Sequence, residues 1–390
     1  MEAQYEPEDY LVVIPSIRPV NPEYLEALKG FDIFIADDSD GKVDRRYITE
    51  KQYERDGFKM IYLGDQAMRD RLIPRGREHL FARHCPSVKS LGLYFAWKGR
   101  YKAVIIIDDD VDTRGVPPED FVVIGKPMFV WAFHNESGWF NTLSLLGLPV
   151  NPNTDIYARG YPYEFRGETT HIEFSPFLKT SLFNEGLWRG TPDINGIDKL
   201  EMHREVVHDR YPDDTGKPWY IDPALDYSKT ASVLIGQGQH LPLSIMNVQM
   251  DVSLIPAFYQ PPDYQMYRSY KIRRHDDIWS CYFLKAIMDY LNLPMTAGSP
   301  ILWHRKAGDP ISEVLSEHHT NLIQPYITRT IDRASELLLK DGRIEDIAEI
   351  SEALALLAVG GMDSYNYPSQ WHFVMQDYFT NCKEWAQLFQ

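Results

Sequence analysis

The sequence predicts an α/β fold built on a largely parallel sheet, and three observations carry the prediction. Near-continuous apolar runs alternate with helical segments as far as Ile107, two of those runs empty into acidic loops, and the chain from Ile311 onward is mostly helical in pattern. In such sheets the ligand-binding crevice lies at the carboxyl ends of the strands, near the point where the strand order reverses. The two acidic loops are placed there by order alone.

The elements follow in sequence. Tyr10–Ile17 (YLVVIPSI) reads as a strand buried on both faces, ended by a Pro-Ser break. Asn21–Gly30 (NPEYLEALKG) has an Asn cap, a proline in the first turn and a glycine stop, the signals of a short helix. Asp32–Ala36 (DIFIA) is a second buried strand that runs into Asp37-Asp38-Ser39-Asp40-Gly41, and Lys59–Leu63 (KMIYL) a third. Arg77–Lys98 is expected to be mostly helical, with Pro86 starting or bending a helix. Lys102–Ile107 (KAVIII) is a fourth strand, delivering Asp108-Asp109-Asp110 at its end. From Phe121 to Tyr267 prolines, glycines and aromatics break the pattern into short strands and long loops suited to a pocket. Asp276–Leu291 is again helical, with Ile278, Tyr282 and Ile287 near helical spacing and acids at its start. Ile344–Leu357 (IEDIAEISEALALL) stands out in the helical tail, read as an appendage on the catalytic unit.

Composition narrows the function. The 390 residues are 44% hydrophobic, enough for one large core or two modest ones. A formal charge of −16 argues against nucleic acid or an anionic membrane as partner, though a metal and local arginines can still gather phosphates. The acidic N-terminus lacks the pattern of a signal peptide, and no apolar run reaches membrane-spanning length. Cys85, Cys281 and Cys382 are few, scattered and without zinc-ligand spacing, which fits free thiols in the cytoplasm. Gly236-Gln237-Gly238 lacks the third glycine of a dinucleotide fingerprint, so no NAD is expected.

Several residues carry candidate chemistry. Three adjacent carboxylates at a strand end repel one another unless a cation relieves them. In an extended chain Asp108 and Asp110 point the same way and can hold Mn²⁺ or Mg²⁺, hard cations that keep positions for substrate phosphate. The other reading is a solvated acidic turn. Asp38 stands where a base or ribose meets such a sheet, although Asp-Ser-Asp-Gly is equally good turn chemistry. Arg159 and Arg166 lie close together among turn residues and can grip phosphate or merely pair with surface acids. His304 can complete a metal's coordination, with Lys306 neutralising diphosphate; a lone histidine is also often structural. Asp276 and Asp277 are capping acids at the start of a helix, or one of them contacts sugar hydroxyls or acts as a base.

Taken together, IPSIR (14–18), IIIDDD (105–110), RGYPYEFRGE (159–168), GLWRGTPD (186–193), HDDIWSCYFLKAIMDYLNL (275–293) and HRKAGDP (304–310) resemble, in the same order, the reversibly glycosylated polypeptides of plants, the UDP-arabinopyranose mutases. The resemblance runs from about residue 10 to 315 and is looser in the tail. It implies a GT-A glycosyltransferase-like, Rossmann-type mixed sheet in a catalytic domain of residues 1–315, with a helical region at 316–390. It implies metal-dependent, flavin-independent interconversion of the pyranose and furanose forms of a nucleoside-diphosphate sugar, and association of identical chains. In that family the arginine of the RGYP motif becomes reversibly glycosylated, which points to Arg159. Arg166 joins it as a catalytic candidate, and Asp108, Asp110 and His304 form the expected metal set. Pro15, Arg18, Asp38, Asp109, Trp188, Asp193, Asn247, Asp276, Asp277 and Lys306 are the expected nucleotide- and substrate-binding residues. A glycosyltransferase that passes the sugar to an acceptor is the alternative.

The chain departs from the plant pattern at Asp37-Asp38-Ser39-Asp40, where the relatives read Gln-Asp-Gly-Asp. Two carboxylates there can accept the paired N–H donors of guanine, so GDP stands beside UDP as the expected carrier.

Overall fold

The computed structural model describes residues 5–17, 20–39, 57–146, 157–191, 193–200, 232–265, 271–305, 309–341, 344–362 and 368–390. Arg18 and Lys306, two of the expected binding residues, lie outside the described residues.

The four apolar runs of the N-terminal part all form strands: β1 Tyr10–Ser16, β2 Asp32–Asp37, β3 Met60–Leu63 and β4 Ala103–Ile107. They pair in parallel in the order β3-β2-β1-β4, so the order reverses between β1 and β4. Every second side chain goes to the opposite face. Leu11 and Val13 of β1, Phe34 of β2 and Ile106 of β4 enter one core. Val12, Ile14, Ile33 and Ile105 enter the other.

Chain after β4 extends the same sheet. β5 is Val111–Asp112, β6 Pro127–His134, β7 His171–Thr180, β8 Phe183–Gly190, β9 Ser232–Ile235, β10 Asn247–Asp251 and β13 Met295–His304. Together they make an eleven-stranded mixed sheet, β3-β2-β1-β4-β10-β8-β13-β9-β6-β7, with β5 on the end of β13. β11 Tyr264–Gln265 and β12 Lys271–Ile272 form a separate ribbon. Between Phe121 and Tyr267, where short strands and long loops are expected, the described residues supply β6 to β11, two to ten residues long; residues 147–156, 192 and 201–231 lie outside the described residues. Two of these, β8 and β10, are central with a neighbour on each side, and the amides of Asn184, Gln249 and Asn247 hydrogen-bond in series inside the sheet.

Two helical expectations hold, with their helix types now defined. Pro22–Leu28 is a 3-10 helix, its start capped by Asn21, whose side chain accepts from the Glu23 N–H. Only Lys89–Lys98 of the expected Arg77–Lys98 helix is α-helical; Glu78–Phe81 and Pro86–Val88 are 3-10 turns. The break falls at His84, which takes a left-handed φ of 59° and gives its N–H to Asp38.

The α-helices described from end to end are α1 Gln66–Leu72, α2 Lys89–Lys98, α3 Asp276–Tyr290, α4 Pro310–Asp341, α5 Ile347–Gly361 and α6 Ser369–Ala386. The last three pack on α3 and on the sheet's first core. Tyr378 donates to the Trp279 carbonyl, and the indole of fully buried Trp385 donates to the Ile255 carbonyl at 2.8 Å. α4 runs unbroken across residues 315 and 316. No helix among the described residues is long and apolar enough to cross a membrane.

Candidate functional site

A cavity of about 250 Å³ opens where the sequence places the acidic triplet, beyond the carboxyl end of β4. Among the described residues, four cations (Lys89, Arg159, Lys199, Arg274), six carboxylates (Asp108, Asp110, Asp193, Asp276, Asp277, Glu313) and His304 line it, with Ile245 and Met246. Among these described residues carboxylates outnumber fixed cations, a surplus of negative charge that an added cation would relieve.

The triplet turns β4 into β5, and β5 pairs with the end of β13 so that His304 stands opposite Val111. This register brings His304 Nε2 to 3.6 Å from Asp110 Oδ1. The other ring nitrogen, Nδ1, lies 2.8 Å from the Thr191 carbonyl. A carbonyl accepts only, so Nδ1 carries a proton, and Nε2 is the ring nitrogen turned toward Asp110. Asp108 is held differently: Lys89 Nζ lies 2.9 Å from its Oδ1. Burial works against the Lys89 charge, but Asp108 and Asp276 raise its pKa above the ordinary lysine value. Asp109 faces away, receiving the Ser16 hydroxyl at 3.5 Å across the β1–β4 switch point. Among the described residues no group of three His, Cys, Asp or Glu side chains is gathered closely enough to hold an ion by itself. Asp110 and the Nε2 lone pair of His304 are nonetheless the oxygen and nitrogen donors that a divalent cation takes.

Arg159 is the most constrained group. Gly160 adopts φ 91°, and a Cβ there would meet Ile278 at 2.9 Å, so glycine is needed for the turn to press against α3. The turn delivers Arg159 between two carboxylates. Nε and Nη2 donate to Asp193 at 3.0 and 2.9 Å, Nη1 donates to Asp277 at 3.1 Å and to the Arg274 carbonyl at 2.8 Å, and Nη2 also donates to Asp277. All five guanidinium N–H donors are thereby used. Burial opposes its charge, but Asp193 and then Asp277 raise its pKa well above the ordinary arginine value. Burial likewise acts to raise the Asp193 carboxyl; Arg159 and Arg274 outweigh it and hold Asp193 below the usual carboxylate range.

Asp276 and Asp277 open α3. Burial first, and then the charge of Asp277, push the Asp276 carboxyl up to about 7. A buried carboxyl that exchanges its proton near neutrality is suited to acid–base work.

The remaining expected residues divide. Asp38 is buried beyond β2, accepting Arg83 Nε at 3.1 Å and the His84 N–H. Pro15 lies on β1 beside Ala36. Arg166 lies outside the cavity lining: it pairs with both oxygens of Asp198 at 2.8 and 3.0 Å and stacks on Tyr163. Trp188 is buried in the second core. Asn247 is also internal, its amide donating to the Leu187 and Pro300 carbonyls. Lys89, Lys199, Arg274 and Glu313 line the cavity without having been expected there.

Comparison with known proteins points to one family. A family model described as "Reversibly glycosylated polypeptide" matches residues 219–337. "Probable UDP-arabinopyranose mutase 1" of Zea mays is 30% identical over 321 residues, covering 79% of this chain and 72% of its own. "Probable UDP-arabinopyranose mutase 1" of Solanum tuberosum is 30% identical over 323 residues, covering 79% and 73%. "Probable UDP-arabinopyranose mutase 4" of Arabidopsis thaliana is 27% identical over 321 residues, covering 80% and 74%.

Proposed function

This chain belongs to the reversibly glycosylated polypeptide family, and from that premise we propose that it is a metal-dependent, flavin-independent mutase interconverting the pyranose and furanose forms of a nucleoside-diphosphate sugar. The observation that carries the reading is convergence: Asp108 and Asp110, Arg159, Asp193, Asp276 and Asp277, and His304 come from five separated segments and line one cavity. The sheet on which they meet would be of the GT-A glycosyltransferase type. Asp38 already accepts two donors from the protein, which favours a UDP-linked sugar over a GDP-linked one.

Ring contraction requires C1 to leave O5 and bond O4 while the sugar stays tethered. Arg159 is the tether in this proposal. Every N–H direction of its guanidinium is filled by an oxygen, so a nitrogen reaches C1 only after one hydrogen bond is released. Its raised pKa means the free base is not populated, and the proton must move as the bond forms. Asp277 accepts from both terminal nitrogens and is placed to take that proton. The C1–O bond to diphosphate breaks with its electron pair leaving on phosphate. The nitrogen lone pair then opens the ring, breaking C1–O5 to an acyclic iminium, while the Asp276 carboxyl gives O5 its proton. The O4 hydroxyl attacks C1 and returns a proton to Asp276. Diphosphate takes C1 back as the furanoside, and Asp277 returns the proton to Arg159.

Asp110 and His304 would hold the divalent cation, with Asp108 beside them. The chemistry the cation supplies is positive charge for the departing diphosphate.

The test is incubation of the protein and Mn²⁺ with a panel of UDP- and GDP-pyranoses and no acceptor, the products resolved by chromatography. Furanose formation abolished by chelation supports the mutase and names the carrier. Nucleoside diphosphate released without furanose would move the reading to a glycosyltransferase.

A further inference from the structure

Two of the cavity's cations, Lys199 and Arg274, are unused by the ring chemistry. We propose that they form the subsite for the substrate's diphosphate, and that the Glu313 carboxylate occupies this subsite as a built-in anion until diphosphate displaces it. The inference rests on the nucleotide-sugar reading and deepens it.

One carboxylate bridges both cations. Lys199 Nζ lies 2.6 Å from Glu313 Oε2, and Arg274 Nη1 lies 3.0 Å from Oε1. All three side chains line the cavity, and Lys199 is only 3% exposed. A buried ammonium is stable only beside an anion, so Glu313 keeps the empty subsite charged and shaped. A carboxylate that gives one oxygen to an ammonium and the other to a guanidinium marks where two phosphate oxygens can sit, because phosphate oxygens accept from the same two donors. Glu313 can leave without dismantling the subsite. It stands in the first turn of α4, whereas Arg274 is also held by Glu317 at 2.8 Å and Asp193 at 3.4 Å. The cavity's surplus of carboxylates gives a reason for it to leave: diphosphate entering beside Glu313 is repelled until that carboxylate turns away.

Calorimetric titration with UDP and with inorganic pyrophosphate, in constant excess Mg²⁺, tests the proposal. Glu313→Gln is expected to tighten both ligands about tenfold, a gain that misfolding cannot produce. Lys199→Met is expected to weaken both by a similar factor, and in that background Glu313→Gln should bring no gain. Unchanged or weaker binding by Glu313→Gln overturns the proposal. So does a full gain in the Lys199→Met background, which would show only a general loss of negative charge. Furanose formation is scored separately. Active mutase without this coupling sinks the subsite alone, whereas the coupling without furanose sinks the mutase alone.

Discussion

Arg159 and Asp193 are joined twice, by a two-pronged side-chain pair at 3.0 and 2.9 Å and by the Arg159 N–H donating to the Asp193 carbonyl at 2.9 Å. The pair locks the RGYP turn to the chain that follows β8, and Asp277 closes the cluster from the start of α3. Arg159→Ala leaves two buried carboxylates without their cation, and a loss on the order of 3–5 kcal/mol is expected in urea unfolding. Arg159→Lys keeps the charge but not the fork, so it should lose furanose formation while retaining more of the stability. A lysine variant with full turnover would contradict the role given to the guanidinium.

Asp276 ties stability to pH in a definite direction. Its carboxyl moves from an ordinary 3.8 to about 7 on folding, so the folded chain binds this proton more tightly than the unfolded one. The stabilisation is complete below the unfolded value and is lost as pH rises through the folded value. Asp193 runs the opposite way: held low, its contribution is lost only as pH falls below the ordinary carboxylate range. Asp276→Asn should therefore become more stable relative to the unsubstituted protein between pH 5 and 8, by on the order of a few kcal/mol. Melting curves at the two pH values read this directly, and a difference independent of pH would remove the assigned shift.

His304 is set up as a ligand by the carbonyl behind it. His304→Ala should weaken Mn²⁺ binding by about tenfold or more, followed by titration with paramagnetic detection. Unchanged affinity would exclude the imidazole from the metal set.

Gly186 tests the sheet rather than the chemistry. A Cβ there would clash with Asn247 Nδ2, and Asn247 is the clamp between β8 and the irregular middle of β13. Gly186→Ala should cost about 1–3 kcal/mol through overpacking, measured as a shifted urea midpoint. No shift would mean that the clamp yields freely.

Much of the fold is legible in the sequence because its signals are local. Apolar runs bounded by turns mark β1 to β4, and the acids at their ends mark the crevice. What is not legible depends on partners far along the chain. The Asp38–His84 contact interrupts an otherwise helical stretch. Asn247 resembles a polar binding residue, yet it serves the interior because Leu187 and Pro300 present carbonyls to it. Arg166 shares a motif with Arg159, but the two guanidinium groups go to different acids, Asp198 for one and Asp193 with Asp277 for the other. Lys89, Lys199 and Glu313 carry no motif of their own. Their only signal is the unpaired charge of the groups they meet, and that appears once the cavity is assembled.

The most direct measurement is the intact mass of the protein, acid-quenched during turnover of a UDP-pyranose. A covalent tether gives a mass increase of one glycosyl residue on Arg159, discharged by added UDP and absent from Arg159→Lys. Furanose formed with no adduct at any quench time would contradict it and leave Arg159 as a counterion to Asp193 and Asp277.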